Sequence, residues 1–142
     1  MRLNLNIPYD SRYLSDLRRF VWRALHSLAL SEITLNQLVL AVDEVCSNLI
    51  VHVPAASTDR IWVEIILKED LLIIEIVDTS GRSAFDMKGY TPPRIQALIR
   101  SRRKGGLGLR LVRSIMDKVD VFEREGCRVW RLQKALVSEK AS

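Results

Sequence analysis

The chain has 142 residues, 22 Lys and Arg against 17 Asp and Glu for a formal net charge of +5, 48% hydrophobic and 27% charged residues, and two Cys. A chain of this size can bury roughly two-thirds of the surface its unfolded form exposes, which predicts one globular domain over 1–142 and excludes disorder, collagen-like repeats and a disulfide scaffold. The longest apolar runs, 61–67 and 71–77, fall short of the ~18 residues that cross a bilayer. The N-terminus lacks the apolar core of a signal peptide, and Cys46 and Cys127 suit a reducing compartment, so the expectation is a cytoplasmic protein with no membrane contact.

In chain order, Leu3, Leu5 and Ile7 alternate with Arg2, Asn4 and Asn6 up to Pro8, the pattern of a short half-buried strand. From Ser11 onward, Leu14, Leu17, Val21, Leu25 and Leu28 recur at three- and four-residue steps and predict an amphipathic helix. Ser31 or Thr34 can cap a second helix, carried by Leu35, Leu38, Val42, Val45 and Leu49 as far as Pro54. Segments 61–68 and 71–78 are rich in Ile, Val and Leu and are joined by Glu69-Asp70, which predicts an antiparallel hairpin. Residues 79–105, with Gly81, Gly89, Pro92 and Pro93, read as a long loop with one helical turn around 95–99. A helix over 108–117 and a hairpin of 119–123 with 128–134 around Glu125-Gly126 complete the pattern, and the tail 136–142 is expected to fray. This order predicts an α/β (α+β) two-layer sandwich: a mixed, largely antiparallel sheet with three helices on one face.

Three features carry chemistry. Glu44, Asn48 and His52 recur every four residues in an otherwise apolar helix, which stacks a carboxylate, an amide and an imidazole on one face ~6 Å apart. That is an acid/base or metal-holding face, and equally the spacing of a solvated one. Asp78 ends an apolar strand before Thr79-Ser80-Gly81; it can accept a hydrogen bond from a ligand amine, or simply form a turn. Gly105, Gly106 and Gly108 precede the amphipathic Leu111, Val112, Ile115 and Met116, so backbone N–H groups and a helix N-terminus can face an anion. Neither a P-loop nor a dinucleotide fingerprint is present. The run Arg100-Ser101-Arg102-Arg103-Lys104 would suit nucleic-acid phosphates or a solvated loop, but aromatics for stacking are few and zinc-finger spacing is missing, so nucleic acid is the disfavoured partner.

Taken in order, LAVDEVCSNLIVHV, IEIVDTSGRSAFD and GGLGLRLVRSIMDKVDV resemble the N, G1 and G2 boxes of the histidine-kinase-like ATPases (Bergerat fold), and within them the bacterial anti-sigma-factor serine/threonine kinases of partner-switching pathways. The resemblance spans about residues 1–135. It implies a homodimeric kinase using ATP and Mg²⁺, which holds a sigma factor inactive and phosphorylates a STAS-type anti-sigma-factor antagonist. It implies Glu44 as general base, Asn48 as the Mg²⁺ ligand, Asp78 as the acceptor for the adenine amine, and Gly81 as the residue that lets the base approach. Lys104, Gly105, Gly106, Leu107, Gly108 and Leu109 would meet the phosphates, with 87–104 as the ATP lid. Two departures stand out: the family's Asp-x-Gly is lengthened here to Asp78-Thr79-Ser80-Gly81, and Arg131 takes the last-strand position where the family often has a small hydroxyl residue near the adenine. A non-catalytic regulatory module of the same fold is the alternative.

Overall fold

Alternating burial along the strands and a three-to-four-residue burial period along the helices produce one sheet covered by helices. The computed structural model describes residues 1–80 and 106–136. Its elements are β1 (Arg2–Pro8), a 3₁₀ turn (Ser11–Tyr13), α1 (Leu14–His26), α2 (Glu32–His52), β2 (Arg60–Lys68), β3 (Leu71–Asp78), α3 (Gly106–Ile115), β4 (Lys118–Arg124) and β5 (Cys127–Ala135). The strand order is β1-β2-β3-β5-β4, and every neighbouring pair is antiparallel. The sheet is therefore antiparallel throughout the described residues rather than mixed, because hairpins link β2 to β3 and β4 to β5.

One face of the sheet carries Ile7, Ile61, Val63, Ile65, Leu72, Ile74, Ile76, Trp130 and Leu132, all buried in the core. Leu17, Val21 and Leu25 of α1, Leu38, Val42, Val45 and Leu49 of α2, and Leu109, Val112 and Ile115 of α3 pack onto them. The central helix, α2, touches α1 on one side and α3 on the other and lies over β3. At 21 residues it is long and apolar enough to cross a membrane by composition, but 50% of its most apolar window is buried within the fold, as expected for a core helix. Ser31 caps it: the Thr34 N–H donates to Ser31 Oγ at 3.1 Å.

Three boundaries differ from the sequence pattern. Asp10 accepts the Arg12 N–H at 2.9 Å, so the chain first makes a 3₁₀ turn and α1 begins only at Leu14. The last helix starts at Gly106, not at 108, and ends at Ile115. Leu136, expected to fray with the tail, is fully buried, and its N–H donates to the Asp70 carbonyl at 2.8 Å; the rest of the tail, 137–142, lies outside the described residues. Glu125 and Gly126 both adopt positive φ, 53° and 79°, the backbone a two-residue hairpin turn needs.

The opposite face of the sheet holds an ion cluster. Glu75 is buried between Arg124 and Arg131, at 2.8 Å from each, and the Arg131 guanidinium lies 4.6 Å from the Phe122 ring centroid. Burial pushes the Glu75 carboxyl upward, but the hydrogen bonds and charges of the two arginines outweigh it and hold the group below the usual carboxylate value.

Candidate functional site

Within α2, the Glu44, Asn48 and His52 stripe passes from partial cover to the interior and out again. Glu44 is half-buried, Asn48 is only 2% exposed and His52 is exposed. His52 sits in the last turn of α2. The stripe is thus a two-residue feature. Asn48 Oδ1 is buried and has no hydrogen-bond partner among the described residues, an arrangement that costs about 1–3 kcal/mol unless something polar meets it. A buried, neutral, unpaired oxygen is a fitting ligand for Mg²⁺, which favours oxygen donors and takes much of its shell from water and phosphate. Among the described residues no three His, Cys, Asp or Glu side chains gather as a metal cage, so an ion here would draw on such outside ligands.

Glu44 is brought against the glycine segment. A Cβ placed on Gly108 would lie 2.1 Å from Glu44 Oε2 and 2.8 Å from its Cδ, so only glycine lets the carboxylate rest there. Gly106, Leu107, Gly108 and Leu109 all belong to the first turn of α3 rather than to a loop before it. Gly108 is half-buried, and Leu109 is 1% exposed and packs in the core. Since α3 packs on α2, the first turn of α3 and the Glu44 carboxylate share one place. First-turn N–H groups lack intrahelical acceptors and favour negative charge. Gly81, Lys104, Gly105, the lid at 87–104 and the turn around 95–99 lie outside the described residues.

Asp78 ends β3 on the helix-covered face and is 3% exposed. Register places Ile7, Ile61, Asp78, Arg128 and Glu123 in one row across all five strands. Arg128, not Arg131, is therefore the last-strand residue opposite Asp78; Arg131 pairs with Glu75 on the other face because it stands opposite that residue. Burial lowers the pKa of the half-buried Arg128 guanidinium, partly offset by the charges of Asp78 and Tyr9.

Sequence reasoning missed Tyr9. Its hydroxyl donates to Asp78 Oδ1 and accepts the Thr79 N–H at 3.0 Å and the Ser80 N–H at 3.3 Å. Ser80 also donates to Asp78 Oδ1, through its N–H at 3.1 Å and its hydroxyl at 2.6 Å. Thr79 Oγ1 donates to the Arg60 carbonyl at 2.6 Å and accepts the Arg60 N–H at 3.1 Å. The residue that lengthens this turn, Ser80, thus turns back onto the aspartate. The only sequence signal for Tyr9 is its phase, two residues past Ile7 on the core-facing side of β1.

Burial, then the hydrogen bond to Asp78 and its negative charge, push the Tyr9 phenol well above its ordinary value. Its pKa is thus higher folded than unfolded. The stabilisation is fully present below about pH 10, the ordinary tyrosine value, and is lost as pH rises through the higher folded one. Denaturant melts from pH 8 to 11 should therefore show stability falling more steeply above pH ~10 in the wild type than in Tyr9→Phe; parallel curves would remove this coupling.

Residues 7–134, which include this helix-covered antiparallel sheet, match the histidine kinase-like ATPase domain. The chain belongs to that family. Among its relatives it is similar to the serine-protein kinase RsbW of Bacillus cereus, 22% identical over 130 residues that cover 90% of this chain and 81% of the relative, and to RsbW of Bacillus mycoides, 23% identical over the same lengths. The fold resembles the RsbU and RsbW domains of Rv1364c from Mycobacterium tuberculosis, with TM-score 0.66 and 14% identity over 95% of this chain and 32% of that one. It also resembles a chain of the SiaB-SiaC complex from Pseudomonas aeruginosa, with TM-score 0.58 and 14% identity over 93% and 88% of the two chains.

Proposed function

We propose that the protein is an anti-sigma factor with ATP-dependent serine/threonine-protein kinase activity, which sequesters a sigma factor and phosphorylates a STAS-type antagonist in a partner-switching pathway. The observation that carries this reading is the seating of the Glu44 carboxylate against Gly108, one helical turn from Asn48 Oδ1, which has no partner among the described residues. In this reading Glu44 serves as the base beside the start of α3 and Asn48, one turn further along α2, as the oxygen ligand, the set of roles phosphoryl transfer uses. Similarity to RsbW, whose name is that of a serine-protein kinase, supports the substrate class.

In this reading Glu44 accepts the proton of the antagonist's Ser or Thr hydroxyl as that oxygen is phosphorylated. Asn48 would hold Mg²⁺ through Oδ1, and the chemistry Mg²⁺-ATP supplies when bound is a transferable phosphoryl group with its charge partly neutralised. Backbone N–H groups at 105–109, with Lys104, would bind the phosphates, and Asp78 would accept the adenine amine beside Gly81. The protein would act as a homodimer in the cytoplasm, with a single ATPase domain over 1–142. A non-catalytic nucleotide-binding module of the same fold is favoured by one observation, the cation of Arg128 opposite Asp78.

Titration calorimetry with ATP tests the nucleotide site. Asp78→Ala leaves the adenine amine without its charged acceptor and should weaken ATP roughly ten- to hundredfold. Radiolabel transfer from ATP to an antagonist protein tests the kinase. Binding without transfer supports the regulatory module, and ATP binding unchanged in Asp78→Ala removes the adenine assignment.

A further inference from the structure

We propose that Tyr9 is a base-selecting positioning residue: with Ser80 it fills Oδ1 of Asp78, leaving that carboxylate one oxygen for a ligand, so that the site takes adenine and rejects guanine. The inference rests on the nucleotide site proposed above and names what sets its base preference. Three donors converge on Oδ1, namely the Tyr9 hydroxyl, the Ser80 N–H and the Ser80 hydroxyl. A carboxylate oxygen has two lone-pair directions, so Oδ1 is saturated. No described residue donates a hydrogen bond to Oδ2.

Guanine presents two adjacent donors, N1–H and the N2 amine, which match a carboxylate only when both oxygens can accept. Adenine presents the N6 amine beside the N1 acceptor and needs one carboxylate oxygen. The guanidinium opposite Asp78 does not discriminate, since Arg128 can donate equally to guanine O6 or adenine N1. Selection therefore falls to the occupancy of Oδ1. Tyr9 is held in place from two sides. It stands just past the end of β1 and is partly buried against the core, and its oxygen also accepts the Thr79 N–H at 3.0 Å. A phenol is protonated at neutral pH at its ordinary pKa of about 10, so the hydroxyl is a donor there. A site that admitted guanine through the same aspartate would leave the base's N2 amine an unpaired donor, a mismatch that binding sites punish strongly.

The test is calorimetric affinity for ATP and for GTP in the wild type, Tyr9→Phe, Ser80→Ala and the double variant, each checked for folding by circular dichroism. Each single change removes one of three donors and still leaves two on Oδ1. It should therefore leave the preference for ATP over GTP within about twofold of the wild type, while the double change, which opens a lone pair to guanine N2, should narrow it roughly thirtyfold. A merely structural role would weaken both nucleotides alike and leave the ratio unmoved. An unchanged ratio in the double variant, or in Tyr9→Phe with Ser80→Gly if that double does not fold, overturns the assignment while ATP binding persists. A wild-type protein that binds neither nucleotide overturns the nucleotide site itself, and this inference with it.

Discussion

Glu44→Gln is expected to lower phosphoryl transfer to the antagonist by about two to four orders of magnitude, the usual contribution of a positioned general base, while ATP affinity stays within a few fold. Glutamine keeps the size and the reach of the side chain, so α2 and its packing against α3 persist. What it cannot do is take the hydroxyl proton. The structure makes this a clean substitution because Glu44 is half-buried on α2, outside the fully buried stripe of Leu38, Val42, Val45 and Leu49. A loss confined to the chemical step, read by single-turnover radiolabel transfer at saturating ATP, identifies an interaction made in the transition state rather than in binding. Transfer at the wild-type rate would exclude Glu44 as the base and assign the proton to another acceptor, whereas ATP binding with no transfer in the wild type itself would favour the regulatory module.

Much of the fold is legible in the sequence because its strands and helices obey local rules. Alternation in 2–8, the Ile- and Val-rich pair around Glu69-Asp70, and the stripe from Leu35 to Leu49 each follow from burying one face. The two-residue turn even predicts the pairing of Ile61 with Asp78, since it closes on Lys68 and Leu71. The β3–β5 pairing is different: the two strands are not consecutive, and only the assembled sheet reveals that Asp78 meets Arg128 and Glu75 meets Arg131. An offset of three residues exchanges the faces of a strand, so the last-strand position that the resemblance gave to Arg131 lies on the face away from Asp78. Tyr9 is hidden for a similar reason. Its partners lie 69 to 71 residues away, and a tyrosine after a proline at a strand end has no local mark of function. The early start of α3 defies propensity, since glycine disfavours a helix by about 1 kcal/mol relative to alanine; contact with α2 overrides that cost. The reason for glycine at 108 lies in α2, not in its own segment.

That reason leads to the second large effect. Gly108→Ala would place a methyl carbon 2.1 Å from Glu44 Oε2 and 2.8 Å from Cδ, closer than nonbonded atoms approach. The obstacle is the end of a flexible side chain rather than backbone, so the carboxylate swings aside and the helices keep their places. Alanine is also the better helix former, by about 1 kcal/mol in a helix interior, and the melting temperature should hold or rise slightly. Catalysis should not survive as well, because a displacement of about 1 Å in a reacting group can cost on the order of a hundredfold. The expected result is a protein as stable as the wild type, or more so, with phosphoryl transfer down about a hundredfold. Shortening the neighbour in the same chain, Gly108→Ala with Glu44→Asp, relieves the overlap. The cost of the pair should then be smaller than the product of the two single losses, the coupling expected of residues in direct contact. Losses that simply multiply would show that Gly108 and Glu44 do not act through each other, and a large fall in melting temperature for Gly108→Ala alone would show that the backbone, not the carboxylate, had yielded.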